Sequence, residues 1–548
     1  MPTITLNRKV FERLVGKKLP TEKLKDRISM LGTDLEKVTD NEIIVEVFPN
    51  RPDMLSEQGF ARAFSSFIGV KKGLRKYKVR ESNEQVIVHP QVKNIRPFTA
   101  CAIVKNLKFT DESIREIVQI QEKLHITYGR NRKRCAIGVY PLDKISLPIH
   151  YTAKKPSEIK FQPLDKDKEL KADEILKLHP TGIEYAHLLK DAVLFPIFHD
   201  SRDNILSMPP IINSETAGKI TEDTKDVFVE CSGHDLTVLE ICLNIIVTAL
   251  ADMGGDIYSM KINYGSKQVI TPNLTPRKIK MDSSYYNKLL GLNLSNSQIK
   301  SFLLRMGYDV QGSTILIPAY RADILHQVDI AGDIAIAYGY ENFKEKIPDV
   351  ATIAEEDSLE NFKEKVITIL LGLGFLETST YHITSETIQN EKMNNKFPLI
   401  KLSNALSQEF TVIRSKMLPC LMQVLSENLH HEYPQNLCEI GRVFKEEKTT
   451  ETGINENENL AIVIAHGNSD FSELKKVLST LMSALSIKYI IKPTVHNSFI
   501  KGRVGNIIIN KKELGYIGEL HPQVLTNFNL GVPVAALELN INELFKLV

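Results

Sequence analysis

The sequence has little of what marks a single chemistry. Its six cysteines, at 101, 135, 231, 242, 420 and 438, form no CxxC pair and no Cys/His ladder. That spacing excludes the common zinc frameworks and points to reduced thiols in a cytosolic chain without structural disulfides. No sign of charge dominates either: 69 Lys and Arg face 67 Asp and Glu, a formal +2. Proteins that coat nucleic acid are strongly basic, so any nucleic-acid contact here is a local patch. Long apolar runs are missing too. VLEICLNIIVTALADMGG, from Val238, is interrupted by Glu240, and its uninterrupted core is too short to span a bilayer. It reads as a buried helix stopped by Gly254 and Gly255. The amino terminus, MPTITLNRKVFERLVGKKLP, carries charge throughout and no apolar h-region, so no signal peptide is expected. There is no internal repeat and no low-complexity tract. A cytoplasmic protein with no membrane role is the expectation.

What is there is length and mixed periodicity. At 548 residues the chain exceeds one core, and about three to five domains are expected. NEIIVEVFPNRPDMLSEQGFARAFSSFIGV runs from a strand, Ile43 to Phe48, through a turn stopped by Pro49 and Pro52. From Ser56 it predicts an amphipathic helix with Phe60, Ala63, Phe64 and Ile68 on one face. KKGLRKYKVR, Lys71 to Arg80, reads as a solvated linker or as an RNA patch. From about 96 the pattern is mixed: a helix around Ser113 to His125, a strand in the second half of YGRNRKRCAIGVYPLDKI, and a β-branched strand at Val227 to Glu230. TPNLTPRK supplies a boundary near 265 to 276. Residues 277 to 344 predict a compact unit with two helices, the second capped by Ser295 or Asn296 and ending at Gly307. Beyond it a helix over Leu359 to Leu373, stopped by Gly374, opens a region that reads mostly as strands.

RADILHQVDIAGDIAIAYGY, Arg321 to Tyr340, sets three aspartates in an otherwise apolar helical run. Asp329 and Asp333 are four residues apart and share a helix face, with Cβ atoms about 6 Å apart. Like charges there cost a few tenths of a kcal/mol, roughly. Asp323 lies in the preceding turn. Two readings stand. In one, Asp329 and Asp333 favour the positive end of the helix dipole and Asp323 is an N-cap. In the other, the three carboxylates hold a hard divalent cation such as magnesium.

Four segments occur in order: EVFPNRPDMLSEQGFARAF, GRNRKRCAIGVYPLD, RADILHQVDIAGDIAIAYGYENF and FTVIRSKMLPCLMQVLSENLHHEYPQNLCEIGRVF. Together they resemble the beta subunit of phenylalanine–tRNA ligase, of the shorter archaeal and eukaryotic cytosolic type, over essentially the whole chain. The resemblance implies an α/β and α+β multidomain fold. Its parts are an N-terminal α/β domain (1–95), a B3/B4-type editing domain (96–265), a winged-helix-like B5 domain (271–346) and a class II synthetase-like module (352–548). This chain stops at NINELFKLV, where the longer bacterial form continues into an RNA-binding domain. The resemblance further implies a partner alpha subunit in an α2β2 heterotetramer, with tRNA(Phe), ATP and phenylalanine as substrates of the complex. It also implies Mg2+ on Asp323, Asp329 and Asp333. The family pattern has one more carboxylate where this chain has Gly332, so three side-chain ligands and a more hydrated ion are expected.

Amino-acid activation places negative charge on a pentavalent phosphorus, which fixed cations must stabilise. Here VIRSK keeps Arg414 without the acidic partner that usually follows, and no arginine lies beyond Arg503. The last module is therefore expected not to form adenylate, Arg414 is expected to be structural, and activation is assigned to the alpha chain. The apolar face Leu418, Leu421, Met422 and Leu425 is expected in a core or an interface. Editing has a physical reason, because an apolar pocket rejects an added hydroxyl only about a hundredfold. Asn213, Ser214, Thr224 and Glu230 are the candidate lining of a site that binds the hydroxyl of mischarged tyrosine; turn capping and solvent exposure are the alternative reading of each. No Ser-His-Asp or Cys-His set is visible, so no catalytic residue is assigned. Arg130 to Arg134, RNRKR, either meet the tRNA end or form an exposed turn. The competing functions are a free-standing aminoacyl-tRNA deacylase and a purely structural scaffold.

Overall fold

A computed structural model describes residues 2–351 and 353–547. The chain divides into two compact units, residues 1–346 and 347–548.

Among the described residues the first unit holds three larger sheets and a two-stranded one, Lys160–Phe161 with Leu170–Lys171. At the start, Glu42–Glu46 lies between Thr3–Asn7 and Asp34–Val38, all antiparallel. Helix Glu57–Phe67 begins where Ser56 caps it by accepting from Gly59 N at 3.1 Å, and it buries Phe60, Phe64 and Phe67. The second sheet has eleven strands. Its middle runs Ile149–Lys154, Gln85–Val88, Asp256–Tyr264, Phe98–Lys105, Val227–Gly233 and Cys135–Pro141. Phe195–His199, Ile205–Met208 and Ile212–Asn213 extend one side, and Lys267–Thr271 and Val79–Arg80 both pair with Asp256–Tyr264. Helices Asp111–Ile126 and Leu236–Asp252 pack on it, the second ending before Gly254 in the left-handed region. The third sheet places Thr314–Ile317 between Arg277–Lys280 and Asp309–Gln311, with helices Ser283–Leu290, Asn296–Arg305 and Gln327–Tyr338 around it.

The limits expected at 95, 265 and 271 separate neither sheets nor cores cleanly. Residues 79–88 and 267–271 already belong to the large sheet. A single apolar core joins Ile4 and Val45, Phe60 and Phe64, Leu243 and Val247, and Leu303, Ile330 and Ile334. Each such buried side chain contributes about 1.5–3 kcal/mol, which outweighs any tendency of these small modules to stand alone.

The second unit has a seven-stranded sheet in the order Leu376–Glu377, Gln435–Glu446, Ile454–Ala465, Val534–Asn540, Lys512–Leu520, Phe499–Ile509, Ile490–Pro493, beside a small one in which Val412–Ile413 lies between Ile383–Thr384 and Ile400–Lys401. All pairings of the larger sheet are antiparallel except the first. Helices Ser358–Gly372 and Phe471–Ala484 cover one core, and helix Leu418–Glu427 the other, through Leu418, Leu421, Met422 and Leu425. The region expected to be mostly strands also contains helix Phe471–Ala484, whose Leu474, Leu478 and Leu481 carry the helical period.

Candidate functional site

A cleft of about 550 Å³ opens between helix Asp111–Ile126, strand Cys135–Pro141 and the segment 207–213. Its floor is polar. Glu230 stands on a central strand, opposite Gly138 in register, and is buried. The Tyr140 hydroxyl lies 3.2 Å from Glu230 Oε1 and 3.3 Å from Asn213 Oδ1. The tyrosine ring lies back over Gly138, where a Cβ would sit 2.1 Å from the phenolic oxygen, so glycine is required there. Burial pushes the Glu230 carboxyl up to about 8. It is therefore largely neutral at pH 7, and its Oε2 makes no hydrogen bond.

The wall is built by an unusual turn. Arg130, Asn131 and Arg132 all have left-handed backbone, with φ of 51°, 52° and 63°. Each non-glycine residue in that region costs on the order of 1 kcal/mol, which surrounding contacts must overcome. The turn sends Arg132 inward. Its guanidinium stacks 4.4 Å over Tyr185, reaches Ile211 O at 2.7 Å and bonds Glu122 Oε1 at 2.8 Å. Glu122 also faces His125 Nδ1 at 3.2 Å, while His125 Nε2 accepts from Ile137 N at 2.8 Å. The backbone donor thus places the His125 proton on Nδ1. Burial opposes the charge on Glu122, and His125 and Arg132 together hold its carboxyl down to about 2. Arg132 Nε and His179 Nδ1 are buried without partners. Unpaired donors and acceptors converging on one cleft are what a polar ligand satisfies.

Of the four residues expected to line such a site, Asn213 and Glu230 do so. Ser214 instead caps the short helix Glu215–Gly218, accepting from Ala217 N, and Thr224 accepts from Thr221 N in a turn. Tyr140, His125 and His179 carry no site expectation from the sequence, and Arg132, expected with its neighbours to meet the tRNA end or form an exposed turn, instead builds the cleft wall. GxY in a buried strand was the available signal for Tyr140. In RNRKR, Arg130 and Lys133 are exposed and Arg134 lies over Tyr128.

The three aspartates are arranged differently from the expectation. Arg321 is buried and grips Asp323 with two hydrogen bonds, Nε to Oδ1 at 2.8 Å and Nη2 to Oδ2 at 2.7 Å. The same Nη2 reaches Asp333 Oδ2 at 2.8 Å, where the Tyr308 hydroxyl also donates. Burial works to raise the Asp323 carboxyl, and Arg321 overrides it, holding it below the ordinary range. Asp329 Oδ2 accepts from the backbone N–H groups of Leu325 and His326, at 2.8 and 2.7 Å, and His326 rather than Asp323 is the N-cap. The carboxylates therefore meet a guanidinium and a helix start instead of converging on one point. Among the described residues no group of three His, Cys, Asp or Glu is placed to hold a metal ion. As they stand, these side chains do not fit magnesium.

In the second unit Arg414 is sealed in. Its Nη1 bonds Glu439 Oε1 at 3.0 Å and Thr380 Oγ1 at 2.8 Å, and Nε bonds Arg442 O at 2.7 Å. With Nε and Nη1 turned onto Arg442, Thr380 and Glu439, this buried guanidinium is held as part of the sheet's own polar network.

Comparison with known proteins settles the family. Residues 92–240 match the B3/4 domain, 279–340 the tRNA synthetase B5 domain, and 344–541 the phenylalanyl tRNA synthetase beta chain CLM domain. The phenylalanine–tRNA ligase beta subunit of Pyrococcus furiosus is 40% identical over 557 residues, covering 100% of both chains. The chain belongs to the phenylalanine–tRNA ligase beta-subunit family. The beta subunit of Archaeoglobus fulgidus is 38% identical, over 100% of this chain and 99% of its own. A crystal structure of an N-terminal fragment of the Pyrococcus horikoshii beta subunit is 38% identical, with a TM-score of 0.59, covering 62% of this chain and 99% of the fragment. As a phenylalanine–tRNA ligase beta subunit, the chain is one part of a class II ligase complex, and the cleft lies within its B3/4 domain. The multidomain α/β fold implied by the resemblance is the one found. No helix among the described residues is long and apolar enough to cross a membrane.

Proposed function

We propose that this chain is the editing and docking half of a cytoplasmic α2β2 ligase that makes phenylalanyl-tRNA(Phe) from ATP, phenylalanine and tRNA. Activation belongs to the alpha chain, because Arg414 is spent on Glu439 and Thr380. The observation that carries the editing reading is Glu230: a buried, neutral carboxyl with a free oxygen at the floor of the B3/4 cleft. A neutral carboxyl both donates and accepts, which suits the phenolic hydroxyl that distinguishes tyrosine from phenylalanine. Bond cleavage rests on a positioned water, and no side chain is named as catalytic. The division into N-terminal, editing, B5 and synthetase-like parts at 1–95, 96–265, 271–346 and 352–548 is the functional partition of this reading.

Magnesium accompanies ATP in the complex. Asp323, Asp329 and Asp333 serve as its ligands only in a state where Arg321 has released Asp323 and Asp333. An unchanged magnesium dependence of assembly in Asp329→Asn/Asp333→Asn removes them from that role.

The test is co-expression with the alpha chain and measurement of the mass of the complex, followed by two assays. Glu230→Ala should leave phenylalanine charging intact and lower hydrolysis of tyrosyl-tRNA by at least tenfold. Normal phenylalanine charging with no tyrosyl-tRNA hydrolysis by the wild-type complex would favour the scaffold reading, and full hydrolysis by both wild type and variant would remove Glu230 from the site. Full hydrolysis by this chain with no affinity for an alpha chain would favour the free-standing deacylase.

A further inference from the structure

KKGLRKYKVR is a pinned ribbon, not a loose linker. Gly73 N donates to Leu304 O at 2.7 Å, and the Tyr77 hydroxyl is held by Arg62 Nη1 at 2.6 Å and Asp252 Oδ1 at 3.0 Å. Val79 and Arg80 pair in parallel with Ile257 and Tyr258. Leading into that strand the side chains alternate: Tyr77 and Val79 pack on the core, while Lys76, Lys78 and Arg80 are exposed. Alternate side chains of a strand stand about 6.6 Å apart, an interval of the same order as that between phosphates along one nucleic-acid strand.

The positive edge continues past the ribbon. Lys71 Nζ bonds Leu14 O at 3.3 Å, and its Cε lies 3.7 Å from where a Cβ on Gly16 would sit. That contact puts the exposed Lys17 and Lys18 on the same edge as Lys71 and Lys72. Among the described residues, Lys17, Lys18, Lys71, Lys72, Lys76 and Lys78 make no ion pair, whereas Arg80 pairs with Asp256. No acidic residue occurs between 71 and 80. In a chain whose formal total is +2, six uncompensated ammonium groups on one rigid edge are a concentrated field, not an average surface.

We infer that this edge, Lys17, Lys18 and Lys71 to Lys78, is a docking surface for an RNA sugar–phosphate backbone, which in the ligase is that of the tRNA. The identity of the RNA rests on the ligase reading; the charge and spacing do not. Every exposed side chain between 71 and 80 is basic. None is the aromatic or leucine that seats a peripheral segment in lipid, so RNA is favoured over an anionic membrane.

The experiment measures binding of the full-length chain to a tRNA(Phe) transcript and to a second, unrelated tRNA across a series of salt concentrations. Each lost phosphate contact lowers the slope of log affinity against log salt by about 0.7–0.9. Lys71→Gln/Lys72→Gln/Lys76→Gln/Lys78→Gln should therefore flatten the slope by about 3 units for both RNAs, with an unchanged melting temperature. Lys475→Gln/Lys476→Gln/Lys488→Gln/Lys511→Gln, in the second unit, should not change it. No binding by wild type, or equal slopes in wild type and the first variant, overturns the inference. So does loss of affinity for phosphatidylserine vesicles with the tRNA slope intact. Charging by the alpha–beta complex is read separately: its absence defeats the ligase reading, and its presence with unchanged slopes defeats only this surface.

Discussion

At the scale of single residues, the buried acids decide the pH response. Burial raises Glu230 to about 8, and burial together with the neighbouring Glu116 raises Glu57 to about 7; burial raises Glu116 likewise to about 7. Between their ordinary values and these, the folded chain keeps protons that the unfolded chain has lost. Stability therefore falls as pH rises from about 5 to 8, by roughly 1 kcal/mol per pH unit for each carboxyl that follows this course. Glu230→Gln should remove one such contribution: its melting temperature should exceed that of wild type at pH 8.5 and match it near pH 5. Calorimetry at the two values checks this. Arg321 makes the opposite case. Asp333→Asn leaves a buried guanidinium short of one charge partner, a change of the kind that costs about 3–5 kcal/mol. The loss should be the same with and without magnesium in a denaturant titration, since the bond lost is to Arg321.

At the scale of elements, caps and periodicity were legible and side-chain direction was not. Ser56, Ser295 and the apolar stripes placed helices Glu57–Phe67 and Asn296–Arg305 to within a residue or two, because both signals are local. The turn at 130–132 reads in the sequence only as basic, because its left-handed backbone is held by Arg132 contacts with Glu122 on the preceding helix and with Tyr185 and Ile211 from two distant segments. That makes a paired prediction. Arg130→Gly relieves backbone strain and should raise stability by about 0.5 kcal/mol after the entropy of the unfolded glycine is subtracted. Arg132→Ala should lower tyrosyl-tRNA hydrolysis through a raised KM, because it frees the wall around Ile211. The aspartates of helix Gln327–Tyr338 illustrate the same limit. Their spacing is visible in the sequence, but that Asp333 answers Arg321 while Asp329 answers the helix start is decided by packing.

At the scale of the whole molecule, the division at 346 and 347 is the main seam. Ile347, Val350 and Ile353 are among the most exposed apolar residues of the chain, in a stretch without regular structure. Brief trypsin treatment should cut first after Lys344 or Lys346 and leave two pieces that intact-mass measurement assigns to the two units. Cuts within residues 71–80 should come later despite five exposed basic residues, because that ribbon is pinned by Leu304, Arg62 and the sheet.

The amino-acid order alone determined the family, the sequence of domains and the poverty of the last module in reaction-ready cations. Those are properties of composition and local period. Tertiary structure decided which partner each charged group has: Arg321 for two of the aspartates, Arg132 for the cleft wall, and no partner for Glu230 Oε2. Whether the partner is two residues away, as Asp323 is from Arg321, or 79, as Ile211 is from Arg132, side-chain direction in the packed core brings the pair together. In a low-dielectric interior that meeting sets whether a carboxyl holds its proton, an arginine or a ligand.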